Sequence, residues 1–240
     1  MAGKRRGMFK KRSSKRRKLN GFKSRSRTRG LRTLKTVGIS RGNFLPAYTY
    51  VKLEYRSELN EYNTSGINGE TAVYRMNSVF DPEAALGGGQ PIGFDQLAAK
   101  YSYYQVYGAK IVFTGSNGQS GGGGIAEVQI GTSLQLGATT WKQLNLQAGT
   151  KSKLITALGS ARSVVKMSMF RRCRNVFGVT RKQYADSQYA ALTIATPIRE
   201  CFFHVQVRGF DRSTAPSIKG DVKIFYYCKF FQPKPLVEDV

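Results

Sequence analysis

The chain has 240 residues, with 39 Lys and Arg against 14 Asp and Glu, a formal net charge of +25 and a pI near 10.3. The length suits one large β domain or two small ones. No stretch approaches the ~18 apolar residues of a membrane span, and the basic start is not followed by the apolar run of a secretory signal. We therefore expect a cytosolic or nuclear protein with an anionic partner.

Residues 1–41, here called the basic arm, hold 17 Lys and Arg and no acid, and the first carboxylate is Glu54. Like charges without counter-charges repel, so we expect the arm to be unfolded when free and to bind nucleic acid. An anionic membrane surface or mere solubility are the alternatives, but the apolar residues show no helical spacing for membrane binding. The candidate nucleic-acid-binding residues are Lys4, Arg5, Arg6, Lys10, Lys11, Arg12, Lys15, Arg16, Arg17, Lys18, Lys23, Arg25, Arg27, Arg29, Arg32, Lys35 and Arg41.

Three clusters in the arm, Lys4–Arg6, Lys10–Arg12 and Lys15–Lys18, also have the composition of a nuclear import signal. Import receptors and phosphates require the same exposed cations, so the arm is predicted to serve both.

Residues 42–240 are predicted to form one β domain, because apolar residues recur with period two. In the last strand, both faces are apolar or aromatic, which indicates a central strand or one whose outer face meets a neighbouring subunit. The predicted strands are Tyr48–Arg56, Thr71–Val79, Gln105–Thr114, Gly124–Gly131, Ser163–Phe170, Cys201–Phe210 and Asp221–Phe231, with a weaker eighth at Ala190–Ala195.

One short helix is predicted over Asp95–Tyr104, with Asp95 as its cap. Long loops rich in glycine and polar residues are predicted between the strands; they are Asp81–Gly93, Ser116–Gly123, Leu134–Arg162 and Arg171–Tyr189. Eight strands with little helix predict an all-β sandwich, a single eight-stranded jelly roll.

Three segments carry a family resemblance: Tyr74–Pro82, Gln90–Leu97 and Tyr101-x-x-Tyr104-x-Val106-x-Gly108-x-Lys110. They resemble segments of the coat proteins of small circular single-stranded DNA viruses, the circovirus-like group. The resemblance implies a jelly roll, an icosahedral shell, nuclear entry and packaging of circular single-stranded DNA. The arm contains more Lys and Ser than the arginine-dominated arms of typical circoviruses, which leaves a related lineage or an RNA virus of the same architecture open.

The sequence gives little support for an enzyme. His204 is the only histidine and alternates with core positions, so it is predicted to be structural or interface-facing. The cysteines Cys173, Cys201 and Cys228 form no Cys-x-x-Cys pair, so we expect buried thiols and no metal site. Carboxylates are scattered singly. We expect no catalytic residue, no cofactor and no enzyme activity.

Five body cations follow a predicted strand, and either nucleic acid or a neighbouring subunit is open as their partner; they are Arg171, Arg172, Arg174, Arg181 and Lys182. Tyrosines assigned to loops are expected at subunit interfaces, with base stacking as the alternative; they are Tyr101, Tyr103, Tyr104, Tyr107, Tyr184 and Tyr189.

Together these features predict a viral capsid protein that assembles with itself, in about sixty copies per shell, and packages a single-stranded genome, DNA in preference to RNA. Its other expected partners are host import receptors, with no membrane partner, and its expected locations are the virion and the host nucleus. The alternatives are a ribosomal or nucleoid-type protein and the coat protein of a small RNA virus. A cupin-type enzyme would need a histidine cluster that one histidine does not provide.

Overall fold

The computed structural model describes residues 45–57, 60–62, 64, 69–84, 89–118, 124–137, 140–157, 162–211 and 216–235. In these residues the chain forms ten strands and three short helices. The strands are β1 (Tyr48–Arg56), β2 (Asn60–Tyr62), β3 (Glu70–Arg75), β4 (Tyr101–Asn117), β5 (Ala126–Ser133), β6 (Lys151–Ile155), β7 (Val164–Arg172), β8 (Ala191–Leu192), β9 (Phe202–Gly209) and β10 (Ile218–Pro233). The helices are α1 (Phe94–Ala98), α2 (Trp141–Asn145) and α3 (Cys173–Phe177).

The strands build two antiparallel sheets that pack against each other. The first has the order β1-β10-β4-β7, with β2 added to β10 and β8 to β4, and the second has the order β3-β9-β5-β6. Without the short β2 and β8, eight strands remain, and the chain crosses between the sheets so that neighbours within a sheet are distant in sequence. This is the double-sheet jelly roll. The predicted fold class is confirmed.

The core lies between the sheets because each strand alternates its side chains. On β10, Val222, Ile224, Tyr226, Cys228 and Phe230 are buried and point to the second sheet. Each fully buried aliphatic or aromatic side chain contributes roughly 1.5–3 kcal/mol to folding. The strand is central, between β1 and β4, as its two apolar faces predict.

The predicted eighth strand is wrong in position. Ala190–Ala195 contributes only the two residues of β8, which pair with Tyr103 and Tyr104 at the border of the first sheet. The eighth strand of the sandwich is β6, inside the segment 134–162 that was predicted to be a loop. Four of its five residues are exposed, so β6 has no apolar alternation to reveal it. The same segment also contains α2, which begins with a capping box between Thr140 and Gln143.

The predicted helix Asp95–Tyr104 is also wrong beyond its first turn. α1 ends at Ala98, its N-cap is Gly93 rather than Asp95, and Tyr101 already belongs to β4. Residues 101–106 pair with the end of β10, so sheet pairing overrides the helical spacing of the tyrosines. The segment 171–189 likewise contains the end of β7, α3 and two 3-10 turns, Gln183–Ala185 and Ser187–Tyr189, in place of the predicted loop.

The open side of the sandwich between β6 and β7 is closed by two lysines. Lys151 Nζ donates to the Ser168 carbonyl at 2.7 Å, and Lys153 Nζ donates to the Lys166 carbonyl at 3.1 Å. Both carbonyls belong to β7, the border strand of the first sheet. Charged side chains that cover such a strand hinder pairing with another chain.

Among the helices that the structure describes, none has the length and apolar composition needed to cross a membrane.

Candidate nucleic-acid interface

The basic arm lies outside the described residues, so its seventeen candidate cations remain predictions. The described body has a second concentration of positive charge. It covers the side of the β1-β10-β4-β7 sheet that points away from the core, here called the outer face. Its cations are Lys52, Arg56, Lys110, Lys166, Arg172, Lys219, Lys223 and Lys229, and its acids are Glu54, Asp221 and, on the short β2, Glu61.

Eight cations against three carboxylates give the outer face a formal charge of +5. Glu54 and Asp221 are each engaged by a cation two residues along the same strand. Arg56 Nε lies 2.7 Å from Glu54 Oε1, and Lys223 Nζ lies 3.6 Å from Asp221 Oδ2. Glu61 is the register partner of Lys219. Exposed pairs of this kind add little stability, and five cations of the outer face remain in excess of them.

Aromatic rings alternate with these cations. The register places Lys52 beside Tyr227 and Lys110 beside both Phe225 and Phe170. Lys52 Nζ lies 4.2 Å from the centre of the Phe225 ring. The seven rings of the outer face strands are Tyr48, Tyr50, Tyr103, Phe170, Phe225, Tyr227 and Phe231.

Several of these rings are fixed by their neighbours yet open to solvent. Tyr50 is 60% exposed, Phe170 49% and Tyr227 39%. The Phe170 and Tyr227 rings meet edge to face with centres 5.7 Å apart, and Tyr50 contacts Tyr107 at 6.0 Å. Lys229 Nζ lies 4.6 Å from the centre of the Tyr48 ring. Cation–π and ring–ring contacts of this kind hold both partners in defined positions.

Arg171 and Arg172, predicted to be loop residues, are the last two residues of β7 and point in opposite directions. Arg172 is exposed on the outer face, opposite Gly108. Arg171 points the other way, and its Nη2 donates to the Ala148 carbonyl at 3.0 Å. Its guanidinium occupies the space where a side chain of Gly149 would lie, and Gly149 has a φ of +76°. Arg171 therefore ties β7 to the turn before β6, and only Arg172 joins the outer face.

The other three body cations are not brought together with these. Arg174 is half-buried on α3, and Arg181 and Lys182 are exposed in the turn before the first 3-10 helix. Arg181 lies close enough to Tyr107 to lower its pKa, although burial and the Tyr50 hydroxyl raise that pKa to about 12 overall. Arg181 therefore lies near the margin of the outer face at Tyr107 and Tyr50.

The tyrosines assigned to loops are mostly core residues. Tyr101 and Tyr104 are buried on β4, and Tyr184 and Tyr189 are buried in the 3-10 turns. The Tyr184 hydroxyl donates a hydrogen bond to the Val106 carbonyl of β4 at 2.6 Å. Only Tyr103 and Tyr107 of this group are half-exposed, and they lie on β4. The prediction of loop tyrosines at interfaces is thus wrong in location.

His204 is a buried structural residue of β9. Its Nε2 lies 2.8 Å from Ser133 Oγ and 3.2 Å from the Gln135 carbonyl, and Nδ1 has no hydrogen-bond partner within the described residues. Burial lowers its pKa. A Ser–His pair without a carboxylate on the second nitrogen lacks the group that orients a catalytic base.

The three cysteines are free and buried, as predicted. Burial raises the pKa of Cys228 to about 12 and that of Cys201 well above its usual value, so both thiols stay protonated. In the part of the chain that the structure describes, no group of three His, Cys, Asp or Glu side chains could hold a metal ion.

The two apolar or aromatic faces of β10 are predictable from the sequence, but the outer face that β10 forms with its neighbouring strands is not. The alternation of Lys223, Phe225, Tyr227, Lys229 and Phe231 is visible in the sequence. What the sequence does not show is that β1 and β4 lie beside β10 and that β7 lies beside β4, because those pairings join residues 48–183 positions apart. The signal available was the same lysine–aromatic alternation on Tyr48–Arg56.

No family model matches the sequence, and no curated protein matches it. The solved structures to which the chain is similar include three virus structures. Empty-head Turnip Yellow Mosaic Virus matches with a TM-score of 0.45 and 10% identity, over 87% of this chain and 94% of that chain. A semi-empty virus-like particle of Macrobrachium rosenbergii nodavirus matches with a TM-score of 0.46 and 12% identity, over 81% of this chain and 100% of that chain. Cocksfoot mottle virus matches with a TM-score of 0.46 and 10% identity, over 78% of this chain and 96% of that chain.

Identities of 10–12% carry no function from those structures to this chain. They also give no support to the resemblance to circovirus-like coat proteins. The DNA-virus assignment therefore stays a prediction.

Proposed function

We propose that this protein is a viral coat protein, whose jelly-roll body builds a closed shell from many copies and whose basic arm binds a single-stranded genome inside it. The observation behind the proposal is the union of two features in one chain. Double-sheet jelly rolls occur in viral capsid, lectin and cupin domains. Of these, the capsid is the one that has to bind a nucleic-acid genome, which an acid-free arm with 17 cations suits.

The charge of the arm matches the task of packaging. Cations on an unfolded segment bind phosphates by releasing condensed counterions, without reading base sequence. Sixty arms in a smallest icosahedral shell bring roughly 1,000 positive charges inside, enough for a genome of about a thousand nucleotides. Phosphates also remove the repulsion between arms, so packaging and shell closure are coupled.

Exposed apolar side chains on the connections between strands supply surfaces for contacts between copies. Ile92 is 87% exposed before α1, Leu146 is 77% exposed after α2, and Ile194 and Ile198 are 72% and 86% exposed between β8 and β9. Exposed apolar surface of this kind marks protein–protein interfaces where it is contiguous, and two of these residues, Ile194 and Ile198, lie in the same connection. They support self-association, which a nucleoid or ribosomal protein of the same charge does not require.

Assembly is tested by expressing the full chain and imaging the purified protein by electron microscopy. Closed particles that protect nucleic acid from nuclease are expected. A monodisperse monomer at low salt and high concentration contradicts a coat protein, and a nucleic-acid-binding monomer supports the ribosomal or nucleoid alternative. Digestion of nucleic acid from authentic particles with DNase or RNase decides between a DNA genome, favoured by the resemblance, and an RNA genome.

Nuclear entry is the second part of the proposal and rests on the three basic clusters of the arm. A fusion of residues 1–41 to an inert reporter is expected to accumulate in the nucleus. Alanine at Lys15, Arg16, Arg17 and Lys18 is expected to reduce that accumulation, because import receptors bind such clusters. Uniform distribution of the intact fusion between cytosol and nucleus contradicts this part alone.

A further inference from the structure

We propose that the outer face of the β1-β10-β4-β7 sheet is a second nucleic-acid site, on which unpaired bases stack on Tyr50, Phe170 and Tyr227 while phosphates contact the lysines beside them. The inference rests on the proposed function, because it takes the packaged single strand as the ligand. This site differs from the arm in what it recognises: the arm binds phosphates alone, whereas the outer face also binds bases.

Charge selects nucleic acid over a second copy of this chain as the occupant. The outer face has a formal charge of +5, and each of its three acids has a cation of the same face beside it. Two such faces repel each other. The rest of the chain offers few acids to match it, since the 199 residues after the arm hold 14 acids against 22 cations. A phosphate backbone supplies the missing counter-charge along its whole length.

The rings have the exposure and rigidity that stacking requires. Tyr50, Phe170 and Tyr227 keep 39–60% of their surface in contact with solvent. Phe170 and Tyr227 are fixed against each other at 5.7 Å and 84°, so little conformational freedom is lost when a base covers them. Successive side chains on one face of a strand are about 7 Å apart, and each ring has a lysine on the adjacent strand as its register partner: Lys229 for Tyr50, Lys52 for Tyr227 and Lys110 for Phe170. A base can reach a ring only when it is not paired, so the site is specific for single strands.

The chain itself connects this site with the arm. Arg41, the last cation of the arm, precedes Tyr48 by seven residues, which span at most about 25 Å. Tyr48 lies on the outer face at the start of β1, with Lys229 beneath its ring. A phosphate bound by Arg41 therefore lies within roughly 25–30 Å of Tyr48.

The experiment separates base stacking from charge with two oligonucleotides of equal length, about 12 nucleotides. One is a thymidine oligomer and the other an abasic oligomer with the same phosphates. Affinities of the full-length protein are measured at about 0.5 M salt, because salt weakens phosphate contacts and leaves stacking largely unchanged. We expect the thymidine oligomer to bind at least about tenfold more tightly, since one stacked base corresponds to roughly fivefold or more.

The triple variant Tyr50→Leu, Phe170→Leu, Tyr227→Leu keeps the apolar volume and removes the π faces. It is expected to bring the ratio of the two affinities close to one while leaving the abasic affinity unchanged. The matched control is Phe210→Leu, because Phe210 is 54% exposed but follows β9 in the other sheet. Thermal melting of each variant verifies folding.

Each other outcome has one meaning. Equal binding of the two oligomers by the unmodified protein overturns this inference and leaves the packaging role of the arm intact. Absence of binding to either oligomer at low salt overturns the proposed function itself. If the triple variant keeps the ratio but no longer forms particles, the outer face is an interface between copies, and the inference is wrong.

Discussion

The rings of Phe170 and Tyr227 meet edge to face, 84° apart in orientation, across a strand that separates their own. Phe170 belongs to β7 and Tyr227 to β10, and the residue of β4 between them is Gly108, which pairs with both Tyr227 and Arg172. Without a side chain at Gly108, the two rings meet directly above the backbone of β4. The outer face has its ring pair because this position is a glycine.

Gly108→Ala is expected to destabilise the protein by about 1–3 kcal/mol, in the range of overpacking substitutions. An added Cβ would lie 2.8 Å from the Arg171 carbonyl oxygen and 3.3 Å from Phe170 Cζ, and the backbone oxygen cannot move away cheaply. Urea unfolding followed by Trp141 fluorescence measures the change. Gly89→Ala is the matched control, because an added Cβ there meets nothing within 4 Å. Equal stability of the two variants would show that the ring pair does not need the glycine.

Arg171→Gln is expected to change stability and Arg172→Gln to change nucleic-acid binding, although the two residues are adjacent. Arg171→Gln removes the hydrogen bond to the Ala148 carbonyl and lowers the free energy of unfolding by about 1 kcal/mol. Arg172→Gln leaves stability unchanged and reduces the slope of log affinity against log salt by about one contact. Each variant serves as the control for the other in urea unfolding and in oligonucleotide binding. Two variants that lose nucleic-acid affinity equally would contradict the assignment of Arg171 to structure.

Stability is expected to fall as the pH drops below 6.5, with His204 as one cause. Burial lowers the pKa of His204 in the folded state from 6.5, so below that pH the unfolded chain takes up a proton that the folded chain does not. The contribution is fully present above pH 6.5 and is lost towards the folded pKa, with a limiting slope of about 1.4 kcal/mol per pH unit. His204→Gln can still hydrogen-bond Ser133 and is expected to flatten this slope. Urea midpoints between pH 5 and 8 test it, and an identical pH profile for both proteins would exclude His204 as the cause.

The strands that the sequence predicts well are those with one buried and one solvated face. Tyr48–Arg56 is predicted with the bounds of β1, and residues 221–231 and 163–170 are predicted within one to three residues of β10 and β7. β6 escapes prediction because it lies at the border of its sheet and exposes four of five residues. An alternation of apolar and polar residues reveals a strand only when one of its faces is buried. β6 lacks such a face and is a strand because of its hydrogen bonds to β5.

The site was predictable only in part, for a similar reason. The charge of the arm is a property of composition and needs no structure. The outer face depends on four strands brought side by side, and on a bulge between Tyr227 and Cys228 that changes the register with β4. Neighbouring residues such as Arg171 and Arg172 look equivalent in the sequence. Because both lie on a strand, their side chains point to opposite sides of the sheet.

Deletion of residues 1–41 is expected to separate the shell from its main charge. The deletion removes 17 of 39 cations and no residue of the described strands, which begin at Tyr48, so the body should melt close to the temperature of the intact unassembled protein. The salt dependence of single-strand binding should fall in magnitude by about 0.7 for each arm cation that contacts phosphate. What remains at high salt should be the base-dependent binding of the outer face, and any particles should be poorly filled. Binding of a thymidine oligomer across a salt series, with full and truncated chains, measures both terms. An unchanged slope after truncation would place the phosphate contacts in the body and reduce the arm to a targeting segment.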